Sequence, residues 1–222
     1  LPRELVRARR QVDAALDAAV GDLQAVHGGR AEVRRQRALA LDGHVVLEVG
    51  HGESHLEQLG SLEAVARAKG ELVEGLPATG VAVLNADDAR VRALAQTSRA
   101  RVLSYGLNHG ADIRAEDVTF APLGMRFALV RGRERVPVAL PVWGRHNVRN
   151  ALAAVAAGTA LGLDLPAARD GLERYAPPSM RLETVQAGDL LIINDAYNAS
   201  PASMQAALEV LLVVCVPAHL HP

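Results

Sequence analysis

Three short apolar runs, each closing on glycine or asparagine, constrain this fold most: HVVLEVG (44–50), GVAVLN (80–85) and RVLSYG (101–106). Runs of this length with turn residues at their ends read as strands buried on both faces. SLEAVARAKGELVE (61–74) lies between the first two and is helical in period. Ser61 is its expected N-cap, and Gly75 and Pro77 are its terminators. Asp87 and Asp88 lead a second helix through about residue 98. Alternating strands and helices predict a parallel α/β sheet.

The pattern changes after residue 106. DIRAEDVTF, GMRFALVRG and RVPVALPV alternate or run apolar, with turns at Gly124 and Gly132. They predict antiparallel strands, a small insert on the edge of the main sheet. Residues 145–174 are helical, first NVRNALAAVAAGTALG and then PAARDGLERY. Pro177-Pro178 marks a linker. Beyond it LETVQ and DLLIIND predict two strands, and PASMQAALEVL a helix with Ser200 as N-cap and Pro201 at its first position. Residues 1–40 suggest one or two helices broken at Gly28-Gly29.

Composition narrows the function classes. A formal net charge of -1 gives no electrostatic case for nucleic acid or an anionic membrane as main partner. One cysteine, Cys215, excludes an internal disulfide framework. No apolar run is long enough for a bilayer, and the charged N-terminal stretch lacks the core of a signal peptide. The expectation is a soluble, cytoplasmic protein. Aromatics are 3% of the chain, so Val, Leu and Ala must fill the core. The basic residues are arginines with one exception, Lys69.

Lys69 lies in the 61–74 helix, where a lysine is commonly a solvated surface group. A buried lysine amine is lowered in pKa and can react with carbon dioxide, giving an anionic oxygen ligand suited to magnesium. Arginine cannot do this. His55 and Glu57 belong to a polar stretch before that helix, a loop or a histidine ligand near a divalent cation. Glu48 ends a buried strand, where parallel sheets bind ligands, or is simply a satisfied strand-end acid. Asn147 and Asn150 are three apart in a helix, so they share a face. Two amides there suit a planar base or a phosphate; the alternative is a cap at Asn147 and a solvent-facing Asn150. Asp195 follows an apolar strand and precedes a helix, a place that faces a ribose or phosphate, or serves as turn chemistry.

Taken in order, SHLEQLGSLEAVARAKGELVEGLP, GVAVLNADD, GRHNVRNALAAVAAGTALG and RLETVQAGDLLIINDAYNASPASMQAAL resemble the Mur ligases, from about residue 44 to 211. The NDAYNASP stretch points to the member that joins D-alanyl-D-alanine to UDP-N-acetylmuramoyl-tripeptide. The resemblance implies an ATP-dependent amide-bond ligase working through an acyl phosphate, with Mg2+ as cofactor. It matches Lys69 to the family's carbamylated lysine, His55 to the histidine by the second magnesium, and Glu48 to a metal-site acid. It further matches Asn147 and Asn150 to the adenine side of ATP, Arg181 to an arginine at the junction to the last domain, and Asp195 to the acid near the ribose. The implied fold is α/β: a partial central ATPase-type domain over 41–176 and the start of a Rossmann-like C-terminal domain over 177–222. Residues 1–40 would be a helical segment outside both.

The sequence also departs from the family's pattern. Family members carry a glycine-rich loop ending in Gly-Lys-Thr or Gly-Lys-Ser that cradles phosphates. The single lysine here has the helical context RAKGEL. Six residues separate Glu48 from His55, too few for the crossover and strand usual between those motifs. The expectation is a fragment or decayed copy without independent ligase activity, whose exposed sheet edge favours self-association. A non-catalytic binding module and a folylpolyglutamate synthetase-like ligase are the other readings.

Overall fold

The computed structural model describes residues 45–48, 70–197, 199 and 201–215. The predicted helices of 1–40, the caps Ser61 and Ser200, and the residues His55, Glu57 and Lys69 lie outside them.

Six strands form one sheet in sequential order: β1 (Val45–Glu48), β2 (Val81–Asn85), β3 (Arg101–Gly106), β4 (Ile113–Ala121), β5 (Gly124–Arg131) and β6 (Glu134–Leu140). The first four are parallel. β4 pairs with β3 only at Tyr105↔Ile113 and Gly106↔Arg114, then runs antiparallel to β5, and β5 to β6. The expected antiparallel insert is therefore a meander that continues the parallel sheet through β4.

Side-chain alternation explains the layers. Ala82 and Leu84 point to one face, where they pack with Val73, Leu76, Val91 and Ala100. Val83 points to the other and joins Leu103, Tyr105 and the helix α2 (Arg145–Ala160). A strand covered on both faces has no use for polar alternation, so VAVLN is apolar until Asn85. Helix α2 is rich in alanine, and Ala151, Ala153, Ala154, Ala156 and Ala157 are all buried. Small side chains let its axis approach the sheet closely while α3 (Leu165–Glu173) closes over it.

The helix expected to run from Asp87 to about 98 is shorter. Asp88 caps α1 (Ala89–Ala93) by accepting from Arg90 N and Val91 N, and a 3-10 turn over Leu94–Gln96 ends it. The Thr97 hydroxyl and amide both donate to the Leu94 carbonyl, tightening the turn so that the chain enters β3 at Arg101. Between α2 and α3 the chain turns at Gly162, whose φ is 92°, and Asp164 caps α3 through Ala167 N at 2.8 Å.

A second unit follows the prolines. The hairpin β7 (Glu183–Ala187) and β8 (Leu190–Asn194) precedes α4 (Pro201–Cys215). Leu190, Leu191 and Ile192 on β8 and Leu208 and Leu212 on α4 are exposed. The unit meets the sheet through a buried cluster of Trp143, Leu182 and Val210.

Candidate functional site

The C-terminal ends of the parallel strands form the rim at which open α/β sheets bind ligands. Glu48 stands there at the end of β1, paired in register with Leu84. Next to it β2 ends on Asn85, a buried polar residue whose Oδ1 accepts from Asp87 N at 2.9 Å. From sequence alone Asp87 is only part of a helix start. Its carboxylate instead accepts from Leu107 N (2.9 Å) and Asn108 N (3.0 Å), fastening the loop after β3. Gly106 leaves this carboxylate room: a Cβ there would meet Asp87 Oδ1 at 2.7 Å and push it off the loop amides. Arg149 Nε lies 3.6 Å from Asp87 Oδ2, which brings the first turns of α2 to the rim. A partly exposed pair of this length orients more than it stabilises. The sequence signal that separates the two acids is position: Asp88 is one residue before the helix, and Asp87 one residue earlier, still at the strand end.

Asn147 and Asn150 come together as their spacing predicts, but the cap and the solvent-facing amide are both absent. The N-cap of α2 is Gly144. Both asparagines are buried, at 9% and 8% exposure, which requires polar partners. Asn147 Nδ2 donates to the Trp143 carbonyl at 2.7 Å, and Asn150 Nδ2 reaches Asn147 Oδ1 at 3.4 Å. The long second bond is weak and readily exchanged for a ligand. Carboxamides offer a donor and an acceptor side by side, the complement of an adenine edge.

Asp195 and Arg181 come from the linker side. Met180 and Leu182 flank Arg181 with φ of 61° and 50°, left-handed values that cost a non-glycine residue about 1–3 kcal/mol each. Hydrogen bonds hold this shape: Leu182 N donates to Asp195 Oδ1 (3.1 Å) and Tyr197 N to the Met180 carbonyl (3.1 Å). The Arg181 guanidinium lies 4.2 Å from the Tyr197 ring centroid, a cation–π contact that the sequence reading missed.

His146 links the groups. Its ring folds against Gly144, whose φ of 101° and missing side chain leave the room; a Cβ would meet the ring at 2.4 Å. Burial holds the His146 imidazole below its ordinary 6.5, with the Arg149 charge adding to this and Asp195 and Glu209 opposing it. The unfolded chain therefore takes up a proton that the folded chain refuses. Stability should fall as pH drops below 6.5 and continue falling until the lowered folded value is reached. Urea unfolding at pH 7.5 and 5.5 checks this: the native chain should lose more stability than His146→Gln across that interval.

Among the described residues no group of three or more His, Cys, Asp or Glu is placed to hold a metal ion. A cleft of about 700 Å³ lies elsewhere, between β5, β6 and α3, lined by Arg126, Phe127, Arg135, Val138 and Arg169 among others. None of the sequence-predicted site residues lines it. No helix of the described residues is long and apolar enough to cross a membrane.

Comparison with known proteins finds Mur ligases by sequence and by structure. The Mur ligase middle domain family matches residues 27–158. The UDP-N-acetylmuramoyl-tripeptide–D-alanyl-D-alanine ligase of Bacillus subtilis is 38% identical over 169 residues, 76% of this chain and 35% of the relative. The crystal structure of MurF from Acinetobacter baumannii superposes with a TM-score of 0.72 at 32% identity, covering 82% of this chain and 39% of that one. MurF ligase from Thermotoga maritima, solved in complex with ADP, gives a TM-score of 0.64 at 25% identity over 76% of this chain and 38% of that one. The chain thus spans little more than a third of the length of these relatives.

Proposed function

The chain belongs to the Mur ligase family, and from that premise we propose that its lineage function is ATP-dependent amide-bond formation, joining D-alanyl-D-alanine to UDP-N-acetylmuramoyl-tripeptide in the cytoplasm. The observation that carries the reading is the buried carboxamide pair of α2, set at the rim of a parallel sheet beside the Asp87–Arg149 contact. Asn147 and Asn150 would take the adenine edge. Arg181 and Asp195 would approach from the linker, Asp195 giving up its bond to Leu182 N for a ribose hydroxyl. The left-handed linker residues supply strain that such a movement releases.

The phosphate side fits less well. Glu48, His55 and Lys69 would hold magnesium, and Lys69 would act as its carbamate. When bound, ATP and Mg2+ supply the phosphoryl group that activates the acceptor carboxylate and neutralise its charge. The chain's own part is then to hold the base, orient the ribose and exclude water. A glycine-rich cradle with its lysine is missing from this sequence, and phosphoryl transfer depends on that preorganised charge.

A second reading is a nucleotide-binding or scaffolding module of ligase ancestry, because these 222 residues hold the carboxamide pair but no glycine-rich phosphate loop of their own. Titration calorimetry with ADP and with Mg-ATP, followed by an assay with tripeptide precursor, D-alanyl-D-alanine and Mg-ATP, separates the two. Binding with amide product supports the ligase. Binding without product supports the module. No heat at millimolar nucleotide, with Asn147→Ala and Asn150→Ala unchanged from native, removes the nucleotide reading.

A further inference from the structure

We infer that Trp143 is a positioning residue that couples the seating of the 183–215 unit to the carboxamide pair on α2, a role that rests on the nucleotide reading only for what the pair binds. Trp143 lies in the short connection between β6 and α2 and is 8% exposed. It is held at three points belonging to three parts of the molecule. Its indole Nε1–H donates to the Ala121 carbonyl at the end of β4, at 2.9 Å. Its own carbonyl accepts from Asn147 Nδ2 at 2.7 Å. Its ring packs with Leu182 and Val210, bordered by Phe120, Ile193, Ala207 and Val214.

The consequence follows from rigidity. An indole has two rotatable side-chain bonds and a fixed planar outline, and close-packed interiors transmit displacement instead of absorbing it. The 183–215 unit cannot shift without moving Leu182 and Val210 against that ring. The ring cannot yield without stressing its bond to β4 or the backbone whose carbonyl holds Asn147. Asn150 Nδ2 donates to Asn147 Oδ1 at 3.4 Å, so the carboxamide of Asn147 moves directly with the Trp143 carbonyl and Asn150 is affected through it, more weakly. Leu182 also donates its N–H to Asp195, which ties the same displacement to the second group assigned to the nucleotide.

Hydrogen exchange on the full chain tests the coupling in native protein, Trp143→Ala, Trp143→Phe and Leu182→Ala. Leu182 lies outside α2 and its truncation leaves every α2 side chain intact. Leu182→Ala should raise exchange by about tenfold at residues 145–150 as well as at 183–194, and Trp143→Ala should do the same. Trp143→Phe, which keeps a ring in the cluster, should restore most of the protection at 145–150. Loosening of 183–194 with residues 145–150 unchanged in Leu182→Ala would overturn the proposal, whether or not Trp143→Ala folds. ADP titration of the same proteins gives the functional arm, with an expected loss of about tenfold in affinity for Leu182→Ala, about 1.4 kcal/mol. A native chain that binds no ADP removes the nucleotide reading, while the exchange pattern still decides the coupling.

Discussion

Replacing Gly124 with alanine is expected to cost more than about 4 kcal/mol and to leave little folded protein, in the range that marks the most damaging single substitutions. Gly124 begins β5 with φ of 142°, a conformation that an L side chain rarely adopts. A Cβ there would lie 2.0 Å from the Leu140 carbonyl oxygen and 2.7 Å from Val142 N. Both are backbone atoms, so no side-chain rotation relieves the overlap. Val142 N donates to that same carbonyl at 2.8 Å, and Leu140 pairs with Met125. Relief would therefore break the end of the β5–β6 ladder and the turn that delivers Trp143 to the start of α2. Gly132→Ala is the control: its φ is 58° and nothing lies within 4 Å of the added carbon. It should cost only about 1–2 kcal/mol, the price of a left-handed alanine. Urea unfolding of the two variants checks the contrast; equal, mild losses would show that the β5 start is not as tightly closed as the distances say.

Leu152→Ala is the second large effect, expected at about 2–5 kcal/mol by denaturant unfolding. Leu152 is 0% exposed and sits on α2 in the main core cluster with Val83, Tyr105 and Leu129. The truncation removes apolar contact and leaves a cavity, and both terms add. The same helix carries Asn147 and Asn150, so under the proposed nucleotide reading the affinity for ADP should fall with stability. Leu152→Met, which nearly conserves volume, should cost less than about 1.5 kcal/mol. A loss below 1 kcal/mol for the alanine variant would place α2 more loosely on the sheet than described.

The strands were legible because an apolar run bounded by turn residues marks them: VAVLN and RVLSYG pack in the sheet, and DLLIIND is a strand at nearly the predicted bounds although its Leu190, Leu191 and Ile192 are exposed. The helix caps Asp88 and Asp164 follow from ordinary residue preference. Less was legible where one residue type serves two purposes. Asp87 and Asp88 are adjacent and chemically alike, yet one caps a helix and the other grips a loop 20 residues away. Asn147 looked like a cap because asparagine favours caps, but Gly144 starts the helix three residues earlier and turns Asn147 inward. The left-handed Met180 and Leu182 break local preference outright, and hydrogen bonds to Asp195, Tyr197 and Glu183 hold them there. No periodicity announces such residues. The stacking of Arg181 on Tyr197 is likewise a contact across 16 positions that spacing cannot reveal.

Pairing in the sheet changes from parallel to antiparallel once, at β4, and this division predicts an order of assembly. β4, β5 and β6 meet across turns at 122–123 and 132–133, so their ladders close after short excursions of chain. β1 meets β2 only after residues 49–80 have been gathered in, and β2 meets β3 after the whole of α1. Loop closure favours near pairs, and rates follow the separation of the contacts. Pulse-labelling hydrogen exchange during refolding should therefore find protection in β4–β6 before β1–β3. A variant that breaks the β4–β6 ribbon, such as Gly124→Ala, is then expected to slow formation of the strand ends that build the rim.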